Sequence, residues 1–290
     1  RRIGKTRLLQ EFLKGKRAVY FMATEQSERE LLAGFTQAFK EQLPDERIKY
    51  IPTFASWEDL FAYAADLACQ GERLILAIDE YPYLAKAVPS ISSILQRAID
   101  GSWHNSQLFL ILCGSSMSCM EKQVLGHKSP LYGRRTGQLK LLPLPYYEGV
   151  RFFPCWTPEE QLIGYGICGG IPKYLELFAQ YHSLQKAILG EFLLPSGHLI
   201  EEPENLMQQE LREPAVYNSV LTAIAKGATK LNEISQVVGL EASKLGFYLN
   251  NLKDLGITAQ EKPVGKGGSR RGGYKLNDAM FSFWFRFMPE

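Results

Sequence analysis

Residues 73–80 read RLILAIDE, a run of apolar side chains from Leu74 to Ile78 closed by Asp79 and Glu80. The alternation expected of a half-buried strand is absent. The spacing therefore predicts a strand buried on both faces of a mostly parallel sheet. Carboxylates at the carboxyl end of such a strand lie where open α/β sheets bind their ligands. Working outward, QLFLILCGSS (107–116) and GQLKLLPL (137–144) are further apolar runs, and RAVYFMAT (17–24) is another strand candidate. Between them, ERELLAGFTQAFKEQL (28–43) and WEDLFAYAADLACQ (57–70) have helical spacing, the second opened by Ser56 as N-cap. The first 145 residues are expected to form an α/β domain.

The chain opens RRIGKTRLLQEF (1–12). Gly4, Lys5 and Thr6 have the form of the end of the phosphate-binding pattern G-x-x-x-x-G-K-[ST]. Arg1, Arg2 and Ile3 fill three of its variable positions, which places the first glycine and the strand before it upstream of residue 1. Leu8, Leu9, Phe12 and Leu13 share one helical face, so the loop feeds a helix N-terminus, where free N–H groups and the dipole favour an anion. Lys5 would reach the β- and γ-phosphates, and the Thr6 hydroxyl would sit on Mg²⁺. Asp79 would hold the same ion, and Glu80 would orient or deprotonate the water that attacks the γ-phosphate. Taken singly, each motif has a plain alternative: a basic turn capping a helix, or a strand leaving through two solvated acids. Together, and in this order, they point to nucleotide binding. Ser115 and Ser116 end the next apolar run, where they could feel the γ-phosphate through the attacking water or cap the following helix. Arg134 and Arg135, in SPLYGRRTGQLKL (129–141), suit phosphate oxygens or a partner's carboxylates, or form a solvated turn.

From residue 214 onward, VYNSVLTAIAKG (216–227), LNEISQVVGL (231–240) and EASKLGFYLNNLKDLG (241–256) read as three short helices. ITAQEKPV (257–264) and YKLN (274–277) follow as strands around GKGGSRRGG (265–273), the pattern of a winged helix-turn-helix. Leu245, Leu249, Leu252 and Leu255 are expected inward. Ser243, Lys244, Phe247 and Asn251 are expected outward, as side chains able to enter a major groove. Lys262, Lys266, Arg270, Arg271 and Lys275, with no acid among them, make a basic wing suited to phosphates. The DNA candidates are therefore Lys244, Asn251, Lys266, Arg270 and Arg271. A protein-docking module with a solvated loop is the alternative. The closing FSFWFRFMPE (281–290) is too aromatic to stand alone and is expected to pack on this chain or on a continuation of it.

RRIGKTRLL, LILAIDEYPYL, LILCGSSMSCME, PLYGRRT and GGIPKYL, in this order, resemble the prokaryotic ATPase family most abundant in archaea, an AAA+ P-loop family near the signalling STAND branch. The likeness continues through EPAVYNSVLTAIAKG and YKLNDAMFSFWFRFMPE to the end of the chain. The resemblance implies a P-loop ATPase α/β domain over 1–145 without its first strand, and a helical lid over 146–200. A linker or docking helix over 201–213 and a winged-helix domain over 214–290, carrying the start of a nuclease-like region, would follow. Ser115 or Ser116 then matches the polar sensor and Arg134 or Arg135 the arginine finger. Gly170 and Pro172 match a lid motif that touches nucleotide, with Lys173 beside it. ATP in preference to GTP is likewise what the resemblance implies.

Bulk properties narrow the classes. A net charge of +2 over 290 residues names no partner, so DNA contact would need a local basic patch. Five cysteines with no C-x-x-C pair, and four histidines without metal spacing, exclude a zinc site and read as reduced, buried thiols. No apolar run approaches the ~18 residues of a membrane span, and no signal peptide is legible, so a cytoplasmic protein is expected. The sequence is thus read as an Mg-dependent ATPase, a nucleotide switch coupled to double-stranded DNA through the winged helix. A nucleotide-gated regulatory or docking module with little turnover, or a protein-remodelling ATPase, are the alternatives. A protein partner or self-association is compatible with each.

Overall fold

The computed structural model describes residues 2–43, 45–69, 71–104, 106–115, 120, 124–261 and 272–288. The chain divides into two compact units, Ile3–Leu141 and Leu142–Glu290. No helix among the described residues is long and apolar enough to cross a membrane.

The first unit is α/β. Gly4 takes a left-handed conformation (φ 80°) that turns the chain into α1 (Lys5–Leu13), followed by β1 (Ala18–Met22). Next comes α2 (Glu28–Gln42), opened by a capping box in which Ser27 and Glu30 satisfy each other's backbone N–H. After a short α3 (Glu46–Lys49), Ser56 caps α4 (Trp57–Cys69) as expected, its hydroxyl accepting from the Asp59 amide at 3.1 Å. Then follow β2 (Leu74–Asp79), α5 (Tyr81–Ala87), α6 (Ile91–Asp100) and β3 (Leu108–Leu112). The strands form one parallel sheet in the order β1-β2-β3.

Side chains alternate between the two faces of a sheet. Val19, Phe21, Leu74, Leu76 and Ile78 point into a core shared with α2, α4 and α6, where Phe35 stacks on Phe21 with centroids 4.5 Å apart. Burying an aromatic ring of this kind stabilises by about 2–3 kcal/mol. The opposite face carries Tyr20, Ala77 and Ile111 in one register row, with Asp79 next along β2.

All six residues of β2 are buried, but β3 departs from the expected burial on both faces, with Phe109 37% exposed. The difference follows from neighbours: β2 is paired on both sides, β3 on one among the described residues. Residues 137–144, expected as a strand, have no strand pairing, and Leu139 and Leu142 are exposed. An extended segment becomes a strand only where another backbone completes its hydrogen bonds. In α1 only Leu9 of the expected apolar face is buried, while Leu8 and Phe12 are exposed and Lys16 sits over the Phe12 ring. The cysteines also differ from expectation: Cys168 is buried, but Cys69 and Cys155 are exposed.

The second unit is mainly helical. The helix Pro158–Cys168, capped by a Thr157/Glu160 box, ends at Gly169 and Gly170, both left-handed (φ 63° and 72°), and Pro172 opens the next helix, Pro172–Phe178. Leu184–Ile188 and Glu202–Glu210 are further helices. Pro214–Ala225, Leu231–Val238 and Ala242–Asp254 come next, with β4 (Thr258–Glu261) and β5 (Gly273–Leu276) pairing antiparallel behind them. Leu245, Leu249 and Leu252 are buried as expected, whereas Leu255, at the helix end, is 37% exposed. The last helix, Ala279–Phe287, packs on this unit. Met280, Phe281 and Phe285 join its core, and the Trp284 indole donates to the Ile200 carbonyl at 2.7 Å.

Candidate active site

Three segments of the first unit converge at the carboxyl end of β2. Asp79, the last residue of the strand, is fully buried. The Thr6 hydroxyl, from the first turn of α1, donates to Asp79 Oδ2 at 2.6 Å, and the Tyr20 hydroxyl, from β1, donates to the same oxygen at 3.1 Å. Asp79 Oδ1 accepts the backbone N–H of Glu80 at 2.9 Å. A buried carboxylate needs such donors, because burial without them is costly.

Glu80 sits in the left-handed region (φ 50°, ψ 42°) between β2 and α5. For a non-glycine residue this conformation costs about 1 kcal/mol or more and persists only where the surroundings impose it. Here the Tyr81 N–H donates to the Cys113 carbonyl at 2.9 Å, tying the turn to the end of β3. The strained turn aims the Glu80 side chain at Ser115, whose hydroxyl donates to Glu80 Oε2 at 2.8 Å and whose N–H does so at 3.3 Å. Ser116, the other serine candidate, lies outside the described residues.

Electrostatics mark the same cluster. Burial, and then the Asp79 charge, push the Cys113 thiol up to about 12, with the Lys5 ammonium acting in the opposite sense. The thiol therefore stays protonated and is no nucleophile. Burial and Asp79 also raise the Tyr20 hydroxyl above its ordinary value, which keeps it a proton donor. The backbone amides at the start of α1 and the Lys5 charge are of the chemistry that suits an anion, and the Thr6–Asp79 oxygen pair is of the chemistry that suits a hard cation. Among the described residues no three His, Cys, Asp or Glu side chains cluster as a metal cage. A pair of oxygen donors that leaves further ligands to phosphate and water is the habit of Mg²⁺, so the residues present fit that ion.

The two arginine candidates have different surroundings. Arg134 donates from Nε to Asp100 Oδ1 at 2.7 Å and from Nη2 to Asp100 Oδ2 at 2.6 Å, and from Nη1 to the carbonyls of Pro130 and Tyr132. Its guanidinium holds the Asp100 carboxyl below the ordinary range. Arg135 is exposed and donates to the Gln138 side chain at 2.6 Å.

In the second unit, Gly170 is buried against the backbone: its carbonyl accepts the Leu144 N–H at 2.7 Å, and a Cβ built on it would lie 2.1 Å from the Leu144 oxygen. Pro172 occupies the first turn of its helix, and Lys173 is exposed. Of the DNA candidates, Lys244 is exposed on Ala242–Asp254. Asn251, expected outward, is instead partly buried and donates to the Tyr217 hydroxyl at 2.6 Å, because its neighbour helix offers an acceptor there. Lys266, Arg270 and Arg271 lie outside the described residues.

Tyr20 and Cys113 are site residues that sequence reasoning missed. Their strands were legible, but which residue of β1 faces Asp79 depends on pairing register, which no local pattern encodes.

Residues 1–178 match the model of a family described as an ATPase domain predominantly from Archaea. Over 293 residues the chain is 34% identical to the uncharacterized protein MJECL04 of Methanocaldococcus jannaschii, covering 99% of this chain and 62% of that protein. It is 39% identical over 64 residues to the uncharacterized protein MJ0424 of the same organism, covering 22% of this chain and 59% of that one. The matches thus span about three-fifths of the length of these relatives. The solved Walker-type ATPase PABY2304 of Pyrococcus abyssi superposes with a TM-score of 0.76 at 22% identity, over 99% of this chain and 89% of that chain. That likeness is one of fold.

Proposed function

Because the chain belongs to the family of ATPase domains found predominantly in Archaea, we propose that it binds ATP with Mg²⁺ at the Gly4–Thr6 turn and hydrolyses it as a switch coupled to DNA. The observation that carries this reading is the bond from Thr6 to the buried Asp79, which joins the two motifs in one site. Gly4, Lys5 and the amides of α1 bind the phosphates, and Thr6 and Asp79 hold the cation. When bound, Mg²⁺ supplies charge neutralisation at the phosphate oxygens. Glu80 orients the attacking water once Ser115 releases its carboxylate, and Ser115 is then free to sense the γ-phosphate. Arg135, rather than Arg134, is the arginine available to a transferring phosphoryl group, because Arg134 spends its fork on Asp100. Arg135→Ala is expected to lower turnover about a hundredfold with no change in melting, whereas Arg134→Ala is expected to lower the melting temperature first. The reverse pattern in paired turnover and melting assays would exchange the two roles.

The domain reading is kept as part of this proposal: an ATPase domain over 1–145, a lid over 146–200 with Gly170 and Pro172, and a connecting helix over 201–213. Residues 214–290 serve as a winged helix and carry the start of a nuclease-like region. The three helices followed by the antiparallel β4–β5 pair support it, and Lys244 is an exposed cation on the third helix. Lys266, Arg270 and Arg271 complete the DNA contact in the proposal. The protein acts inside the cell, where ATP is supplied.

The test is Mg-ATP binding and turnover with and without duplex DNA, beside Lys5→Ala. Turnover stimulated by DNA, DNA binding that weakens steeply with salt, and loss of both nucleotide binding and turnover in Lys5→Ala are expected. Nucleotide binding without turnover would favour a gated module. The Ser115–Glu80 bond supports that second reading, because it occupies the carboxylate that hydrolysis requires. Turnover indifferent to DNA would move the winged helix to protein docking or remodelling.

A further inference from the structure

We infer that Tyr20 is a positioning residue of the cation site, holding Asp79 in the orientation it needs to share a Mg²⁺ with Thr6. The inference rests on the reading of Thr6 and Asp79 as the cation-holding pair and adds a residue that neither motif contains.

Asp79 is fully buried, and its carboxylate receives donors from three elements: Thr6 from α1, Tyr20 from β1, and the Glu80 amide from the turn before α5. Thr6 has two tasks, since its oxygen serves the cation while its proton serves Asp79. Tyr20 belongs to neither the phosphate loop nor the acidic strand end, so its hydroxyl is the side-chain donor that can stay on Oδ2 whatever Thr6 does.

The route from β1 to Asp79 is built into the sheet. Tyr20 is in register with Ala77, and Asp79 is the next residue of β2 on that face. A methyl group at 77 leaves space for the ring to run diagonally along the face. A larger side chain there would stand in the ring's path.

The tyrosine's own backbone is fixed from outside the sheet. The side-chain amide of Gln42, the last residue of α2, accepts the Tyr20 N–H at 2.8 Å and donates to the Tyr20 carbonyl at 2.8 Å. One glutamine thus satisfies both backbone groups on the outer edge of β1, as a neighbouring strand would, at the residue that reaches Asp79. Outer partners of this kind typically tune metal affinity without touching the metal.

The test is a Mg²⁺ titration of the binding of a fluorescent ATP analogue, with a parallel arm in EDTA. Tyr20→Phe keeps the ring and removes the hydroxyl. The Mg²⁺ concentration at half-maximal effect is expected to rise about tenfold, while analogue affinity in EDTA stays at the wild-type value. Gln42→Ala, which loosens the tyrosine's backbone without altering its hydroxyl, is expected to shift the midpoint the same way by less. It also carries the test if Tyr20→Phe loses its folded melt. An unchanged Mg²⁺ midpoint in the variants overturns the assignment, and so does an equal loss of affinity in EDTA, which would mark a purely structural tyrosine. Wild-type protein that binds the analogue in neither arm overturns the nucleotide reading itself and the Tyr20 assignment with it. Wild-type binding that ignores Mg²⁺ overturns the cation site alone.

Discussion

Glu80→Gln is expected to retain Mg-ATP binding within about twofold and to lower turnover about a thousandfold, within the range a positioned general base contributes. The substitution is isosteric, so the left-handed turn that carries residue 80 need not move (φ 50°). The backbone N–H of residue 80 still donates to Asp79, and a glutamine oxygen still accepts from Ser115. What disappears is the charge able to draw a proton from water. Binding and chemistry therefore separate, which loss of Lys5, the phosphate ligand of the proposal, would not allow. Steady-state turnover and equilibrium binding on the same preparation decide it: turnover at the wild-type level removes Glu80 from the mechanism. A parallel loss of binding would instead mean that the glutamate acts through the architecture of the turn. The backbone supports retained binding with lost turnover. A non-glycine residue held at positive φ, between a buried aspartate and a serine that bonds its side chain, is strain kept in a place where a carboxylate must be aimed.

The parts of this arrangement that could be read from sequence are those that local chemistry dictates. A continuous apolar run predicts β2 because a central parallel strand meets side chains on both faces, and Asp79 and Glu80 mark its ligand-facing end. Ser27 with Glu30, and Thr157 with Glu160, are caps whose partners lie within one turn. What failed or stayed open depended on partners far along the chain. Residues 137–144 have the composition of a strand but no ladder among the described residues to join. Arg134 and Arg135 are indistinguishable as letters, and Asp100, 34 residues upstream of Arg134, separates them. Tyr20 reads as an ordinary strand aromatic until the register sets it two residues from the level of Asp79. Asn251 reads as a groove-facing amide until Tyr217, on a different helix, takes it.

Gly170→Ala is expected to destabilise the chain by about 2–5 kcal/mol, the sum of a left-handed alanine and a steric clash in a packed site. The conformation (φ 72°) is one that a Cβ disfavours even in open space. At this site the space is closed as well. The added atom would meet the Leu144 carbonyl oxygen at 2.1 Å, and Leu144 is also held in place by its backbone N–H, which donates to the Gly170 carbonyl. Backbone cannot rotate aside as a lysine tip can, so either the Leu144–Gly170 bond breaks or the helix Pro172–Phe178 shifts, dragging the buried Tyr174 and Leu175 with it. Gly166→Ala, in the preceding helix, is the matched control. Its Cβ meets nothing within 4 Å, and an exposed helical glycine replaced by alanine is expected to gain up to about 1 kcal/mol. Urea denaturation of the two variants measures the difference. The pair also bears on the lid. If Gly170 serves by letting nucleotide approach the backbone, analogue affinity should fall in Gly170→Ala under conditions where the variant is still folded. If its role is the turn alone, affinity should follow the folded fraction and nothing more. Stability equal to wild type in Gly170→Ala would contradict the packing of Leu144 against this turn, and with it the physical case for glycine at position 170.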